Sequence, residues 1–214
     1  MDLDTYKKAW DNQPEDSKKV SKVEIYKMTK SKSSSIVKWI FIIGLVEFAF
    51  WLTMNSLASK MEVMEVYEEL NLMELLNAIY YINFVVIIAF LYYFYKNYSS
   101  ISTIENTKSL MEKIIKTRKT VKYYVNYNVL GTVLLMILFN IKIVNTPNGI
   151  ETMLALDSID IDPEKIMATY LISQAIAIVL ILLFLFLFYY LLYGILLKKL
   201  NKNHKELDKL EKLN

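Results

Sequence analysis

Four long apolar runs limit the folds that this chain can adopt. They occupy residues 36–54, 78–95, 124–144 and 166–197. A hydrocarbon core is crossed by about 20 apolar residues in a helix, and backbone polar groups in lipid must be hydrogen-bonded within their own segment. We therefore expect an all-α polytopic membrane protein, with a four-helix transmembrane bundle and short helices outside it.

The fourth run is longer than one crossing requires. As a helix, its 32 residues would extend about 48 Å, beyond a hydrocarbon core that is about 30 Å thick. We expect its last turns to leave the membrane as a continuous rod. The tail that follows, residues 198–214, keeps helical spacing of leucines and is predicted to extend that rod.

The basic residues are distributed unevenly between the segments that join the runs. Residues 1–35, 96–123 and 198–214 carry 8, 7 and 6 of them, whereas residues 55–77 and 145–165 carry one each. Basic loops stay on the cytoplasmic side, so both termini and the middle loop are predicted to be cytoplasmic. The two outer loops hold ten acidic residues.

Aromatic residues agree with this orientation, because amphipathic rings prefer the membrane interface. Tyr124, Tyr189 and Tyr193 are among those placed near the inner interface. The polar first 35 residues do not resemble a secretory n-region, so the first helix is expected to act as an uncleaved signal anchor. The expected location is therefore a cytoplasmic (inner) membrane. Abundant Lys, Ile, Asn and Tyr beside a single Arg suggest an AT-rich bacterial genome.

An N-terminal arm, residues 1–35, is expected to form two short helices. In the first helix, Leu3, Tyr6 and Trp10 share one face, and Pro14 ends it. Helices this short are marginal in water unless they dock on something. An apolar face on such a helix is typical of a ligand for a groove in a partner protein. Docking on the membrane or on the chain's own cytoplasmic loop is the alternative.

Three further helices are predicted outside the membrane. Ser21 and Glu24 have capping-box spacing, which places the start of the second arm helix at Ser21. That helix should reach the "SKSSS" stretch, residues 31–35, which would form a joint before the first span. An apolar stripe predicts a middle helix over residues 101–122. This helix and the C-terminal helix over residues 198–214 are expected to complete a cytoplasmic helical cap.

The lysines of the middle loop favour membrane lipids as a partner. Polybasic segments beside a membrane are attracted to anionic headgroups. No direct contact with nucleic acid is expected.

Polar side chains inside the spans are costly and are the default functional candidates. Four stand out, one in each run: Glu47, Asn83, Asn140 and Gln174. Measured from the expected outer ends, they lie about 6–12 Å deep, which predicts one intramembrane polar layer. Two interpretations remain open: interhelical hydrogen bonding around a protonated Glu47, or an outward-opening pocket for a small molecule, a lipid or a proton.

The residue types exclude several classes of site. Cysteine is absent and His204 is the single histidine, so disulfides, thiolate metal sites and histidine-based metal sites are excluded. No P-loop, nucleophile elbow or H-E-x-x-H motif occurs. We expect no catalytic residues, no metal, no cofactor and no enzymatic activity.

Three segments carry a resemblance to a known group of proteins: "LDTYKKAWDNQ", "EIYKM…KSSSIVKWIFIIGLVE" and "MEKIIKTRKTVKYYVNYN". About half the chain resembles small four-span proteins of Bacteroidota that are encoded beside extracytoplasmic-function sigma factors. The resemblance implies a membrane-bound anti-sigma regulator, with Leu3, Tyr6 and Trp10 as the cytoplasmic contact. The chain departs from zinc-binding anti-sigma proteins, because it lacks their cysteine ligands.

Three functions compete. The first is a membrane-anchored regulator whose arm binds a cytosolic protein, with a sigma factor as the expected partner. The second is a structural or assembly subunit that packs against other membrane proteins. The third is a small transporter using Glu47, which is disfavoured because the spans contain no proline or paired-glycine breaks.

Overall fold

A computed structural model of the protein describes residues 22–102, 104, 106–154 and 162–212. These residues form helices joined by short turns, and no strand occurs among them. In chain order the helices are α1 (Lys22–Ala58), α2 (Val63–Glu69), α3 (Met73–Ser102), α4 (Thr107–Val144), α5 (Gly149–Leu154), α6 (Pro163–Tyr189), a π-helical turn (Tyr190–Gly194) and α7 (Ile195–Lys212).

Four helices are long and apolar enough to cross a membrane: α1, α3, α4 and the continuous rod of α6, the π-helical turn and α7. Each contains one of the predicted apolar runs. Large apolar side chains on their outer faces are exposed, such as Phe186 at 72% and Leu130 at 69%, because acyl chains rather than protein would surround them. The chain is a multi-pass membrane protein with an all-α helical bundle, as the sequence predicts.

The two ends of the bundle differ in charge. The basic end carries the beginnings of α1 and α4 together with α7, which alone contains six lysines. The acidic end carries α2 and α5, where the sequences "VMEVYEE" and "GIETML" contain acids and no lysine or arginine.

The larger core lies in the half of the bundle toward the basic end. In α4 its buried positions recur every three or four residues, so that one stripe of the helix faces inward. They are Leu110, Ile114, Thr117, Val121 and Tyr124. This stripe packs with buried residues of α1, α3, α6 and α7 into one cluster. A smaller cluster at the acidic end includes Leu72, Ile143 and Tyr170.

The joint predicted at residues 31–35 is absent, because α1 runs without interruption from Lys22 to Ala58. Ser33 is fully buried, and its hydroxyl oxygen accepts a hydrogen bond from the Asn203 amide at 3.0 Å. The serines are therefore a close-packing face for α7, since their small side chains let the helices approach. Ser21 itself lies outside the described residues.

The predicted middle helix also has different bounds. Ile101 and Ser102 end α3, and α4 begins at Thr107. Asn106 caps α4, since its side-chain oxygen accepts from the Ser109 backbone N–H at 2.8 Å. From there α4 continues into the third span as one helix.

The C-terminal helix packs against both α1 and α4, as expected for a helical cap. Besides the Asn203–Ser33 hydrogen bond, the Arg118 guanidinium donates to the Asn201 side-chain oxygen at 2.8 Å. On its exposed side, Lys212 pairs with Asp208 at 2.8 Å. This hydrogen bond holds the pKa of Asp208 below its ordinary value.

Candidate functional site: a buried carboxyl held by tyrosines

Glu47 is the buried acid of the bundle, with 3% of its surface exposed. It continues the inward stripe of α1, three residues after Gly44 and seven after Ile40. The Tyr189 hydroxyl donates to Glu47 Oε1 at 3.0 Å. The Tyr193 hydroxyl donates to Glu47 Oε2 at 2.7 Å. Both carboxyl oxygens are therefore satisfied by phenol groups from the fourth span.

The two tyrosines stand where the fourth span meets the cap. Tyr189 ends α6, and Tyr193 lies in the π-helical turn. Their spacing of four residues puts both hydroxyls on one helix face, and their rings stack with centroids 6.2 Å apart. Single π-helical turns within α-helices are frequent at functional sites. The carboxyl thus ties α1 to the junction of α6 and α7.

Aromatic rings enclose this junction. Tyr124 of α4 meets Tyr193 edge-on at a centroid distance of 5.8 Å and Tyr189 at 6.3 Å. Phe94 of α3 contacts Tyr124 at 5.5 Å. All four spanning helices therefore meet around Glu47. We call Glu47, Tyr124, Tyr189 and Tyr193 the carboxyl–tyrosine cluster.

Gly44 permits the close approach of α3 to this cluster. A Cβ at Gly44 would stand 3.1 Å from Leu91 Cδ2 and 3.2 Å from Phe94 Cδ2. These distances are shorter than ordinary van der Waals contacts. A larger side chain at this position would push α3 away from α1.

The predicted polar layer does not form as one layer, and that prediction is wrong. Asn140 and Gln174 come together, with the Asn140 amide 3.4 Å from the Gln174 oxygen. Asn83 separately accepts from the Tyr127 hydroxyl at 3.5 Å. Neither interaction reaches Glu47.

The reason is helix register. Gln174 and Tyr189 lie 15 residues apart on one helix, about 22 Å at 1.5 Å per residue, so their partners Asn140 and Glu47 lie at different depths. Depth counted from the ends of apolar runs assumes that every span ends at one level. In the structure α1 continues beyond its run to Ala58, which leaves Glu47 deeper than predicted.

The Asn140–Gln174 pair is incompletely hydrogen-bonded. The Asn140 amide also donates to the Met136 carbonyl of its own helix at 2.7 Å. Asn140 Oδ1 is buried and has no hydrogen-bond partner in the protein. The same is true of the Tyr170 hydroxyl, which lies one helical turn before Gln174. This site therefore ties α4 to α6 more weakly than the carboxyl–tyrosine cluster ties its helices.

Sequence reasoning missed the tyrosine partners of Glu47. It assigned Tyr124, Tyr189 and Tyr193 to the membrane interface by their position near the ends of apolar runs. The available signal was the spacing of Tyr189 and Tyr193, which places two donors on one face of the longest run. A chain with one acid in its spans needs such donors.

The arm residues Leu3, Tyr6 and Trp10 lie outside the described residues, so their role stays a prediction. Among the residues that are described, no group of three or more His, Cys, Asp or Glu side chains could hold a metal ion.

A family model matches most of the chain. Residues 23–212 match a family model described as a domain of unknown function (DUF8845). No curated protein matches the chain, and no solved structure matches it.

Proposed function

The chain belongs to the DUF8845 family, a family without an assigned activity, and we propose from its geometry that it is a membrane-anchored regulator of a cytosolic protein. The observation that carries this proposal is the carboxyl–tyrosine cluster. It joins three spanning helices at the point where the fourth span becomes the cap helix α7, and Phe94 of α3 packs against it. The proposed role is non-enzymatic.

Continuous helices support a regulatory role over a simple anchoring role. One span would suffice to anchor a protein, whereas here α1, α4 and the α6–α7 rod each extend from the spans into the basic end. Helices are stiff, so a shift in the packing of the spans would move the cap helices with them. Such small helix shifts are a common means of switching.

The arm is the proposed binding element. Residues 1–21 precede α1 in the chain, so a protein held by Leu3, Tyr6 and Trp10 would be tethered to the basic end, where α1 begins. The arm, the first span and the middle loop resemble small four-span proteins that are encoded beside sigma factors, which makes a sigma factor the proposed partner. Retention at the membrane would keep a sigma factor away from RNA polymerase.

The proposal includes an orientation and a location. The excess of lysines at the basic end supports placing that end in the cytoplasm under the positive-inside rule. The proposed location is a bacterial inner membrane, with both chain termini cytoplasmic.

A pull-down from native membranes in gentle detergent tests the proposed function. Wild type is compared with Trp10→Ala and with Asn12→Ala, a control in the same arm two positions from Trp10. We expect wild type and Asn12→Ala to recover a sigma factor, and Trp10→Ala to lose it. Equal recovery of soluble proteins by all three forms would refute the arm as the binding element.

The second candidate is an assembly subunit of a larger membrane complex. It is favoured by the large apolar side chains exposed on the outer faces of the spans, such as Phe186 and Leu130, which another protein's helices could cover. In the same pull-down, this function predicts integral membrane proteins recovered equally by all three forms. Their loss on Phe186→Ala would then identify the contact.

A further inference from the structure

A recess of about 450 Å³ lies between α1 and α7 at the basic end. Polar lining is contributed by both helices. It includes Ser31, Lys32, Ser35, Lys199, Lys202 and Glu206.

Small residues on α1 create this recess. Ser33 is buried against Asn203 and holds the two helices together through their 3.0 Å hydrogen bond. Ser31 and Ser35, on either side of it in sequence, are too small to fill the adjoining space. A leucine at position 35 would occupy the volume that the serine leaves.

The charges around the recess favour an anion. The lining contains three lysines, Lys32, Lys199 and Lys202, and one carboxylate, that of Glu206. None of the three lysines forms an ion pair within the described part of the chain. Gathering like charges is unfavourable unless a counter-ion is bound. Ammonium and hydroxyl groups together are the donors that bind phosphate oxygens.

The recess stands at the edge of an apolar surface. Ile36 lines its wall. Trp39 follows Ser35 by one helical turn and is 55% exposed, and Ile195 precedes Lys199 by one turn and is 43% exposed. Side chains four residues apart share a helix face, so both apolar residues extend the recess toward the spans. Exposed tryptophans mark the level of the lipid headgroups.

We propose that this recess binds the headgroup phosphate of an anionic glycerophospholipid, whose acyl chains lie along Trp39 and Ile195. The lysines and serines contact the phosphate, and the apolar surface beside them explains the preference for a lipid over a free anion. Binding would bridge α1 and α7 at the cap. The inference is independent of the partner of the arm.

The test measures lipid selectivity of the full chain in nanodiscs that contain phosphatidylcholine and phosphatidylglycerol. Lipid retained after detergent extraction is counted by native mass spectrometry. Lys199→Gln/Lys202→Gln is compared with Lys205→Gln/Lys209→Gln, which removes the same charge from the same helix outside the recess. Near an anionic surface each lysine contributes about fivefold in binding, so we expect a loss of about 25-fold, against a much smaller loss for the control.

A second variant separates the recess from the surface charge. Ser35→Leu fills the recess, preserves every charge and is compatible with a helix. We expect it to lose retained phosphatidylglycerol as the lysine variant does, with unchanged helical content by circular dichroism.

Three results would overturn the proposal. They are equal losses in the two lysine variants, full lipid retention by Ser35→Leu, and displacement of the lipid by millimolar inorganic phosphate, which would identify a free anion as the ligand.

Discussion

The two polar sites inside the bundle differ in how completely their hydrogen bonds are formed. At the carboxyl–tyrosine cluster, both oxygens of Glu47 accept from phenol hydroxyls at 3.0 and 2.7 Å. At the second site, Asn140 reaches Gln174 only at 3.4 Å, and Asn140 Oδ1 has no protein partner. One site is a satisfied network, and the other is an incomplete pair.

The difference indicates where the helices are held together. A buried polar network stabilises a structure when every member is satisfied, and it is costly when some members are not. The carboxyl–tyrosine cluster also lies within the larger core, beside Phe94 and Leu185. We therefore expect the half of the bundle toward the basic end to be the more stable half.

Glu47→Ala is expected to cause the largest loss of stability. It leaves the Tyr189 and Tyr193 hydroxyls without acceptors and opens a cavity, which should lower the free energy of unfolding by about 3 kcal/mol. An SDS titration followed by circular dichroism measures this loss. The control is Glu112→Ala on the exposed face of α4. Equal SDS midpoints for Glu47→Ala and Glu112→Ala would show that the carboxyl–tyrosine cluster does not stabilise the bundle.

The next largest loss of stability is expected where α3 packs closely against α1, at Gly44. Gly44→Val should cost about 2 kcal/mol, because its side chain would meet Leu91 and Phe94. Gly131→Val is the matched control, since a Cβ at Gly131 meets nothing within 4 Å. The same titration separates them, because the change in helix propensity from glycine to valine is common to both variants. A Gly44 variant as stable as the Gly131 variant would show that α1 and α3 are not closely packed at the cluster.

A smaller effect is expected from Tyr193→Phe. This change removes one hydroxyl from Glu47 and keeps the ring, so it should cost about 1 kcal/mol. Tyr190→Phe is its control, since Tyr190 lies three positions before Tyr193 in the same π-helical turn and is 51% exposed. Thermal unfolding in detergent resolves the difference. If Tyr190→Phe cost as much, the hydroxyl contact to Glu47 would not be the cause.

The smallest effect should come from the incomplete site. Asn140→Leu removes a weak 3.4 Å contact together with an unpartnered oxygen, so stability should change by less than about 0.5 kcal/mol or increase slightly. The same thermal measurement applies. A loss comparable with that of Glu47→Ala would show that the two sites hold the bundle equally.

Some features of the cap follow from local sequence, and others do not. The C-terminal helix and its Asp208–Lys212 pair are predictable, because both depend on residues a few positions apart. The continuity of α1 through residues 31–35 is not, because it depends on Ser33 meeting Asn203, a residue 170 positions away. Serines in isolation favour caps and joints, and the contact with α7 outweighs that preference.

The sequence alone determined that the chain is helical and crosses a membrane four times, because the length and apolarity of each run leave a helix as the single backbone solution in lipid. It also identified Glu47 as the acid that needs partners. Tertiary structure decided which partners those are. Tyr189 lies 142 positions from Glu47, and the two meet because side-chain packing sets the register between helices, which no local periodicity encodes.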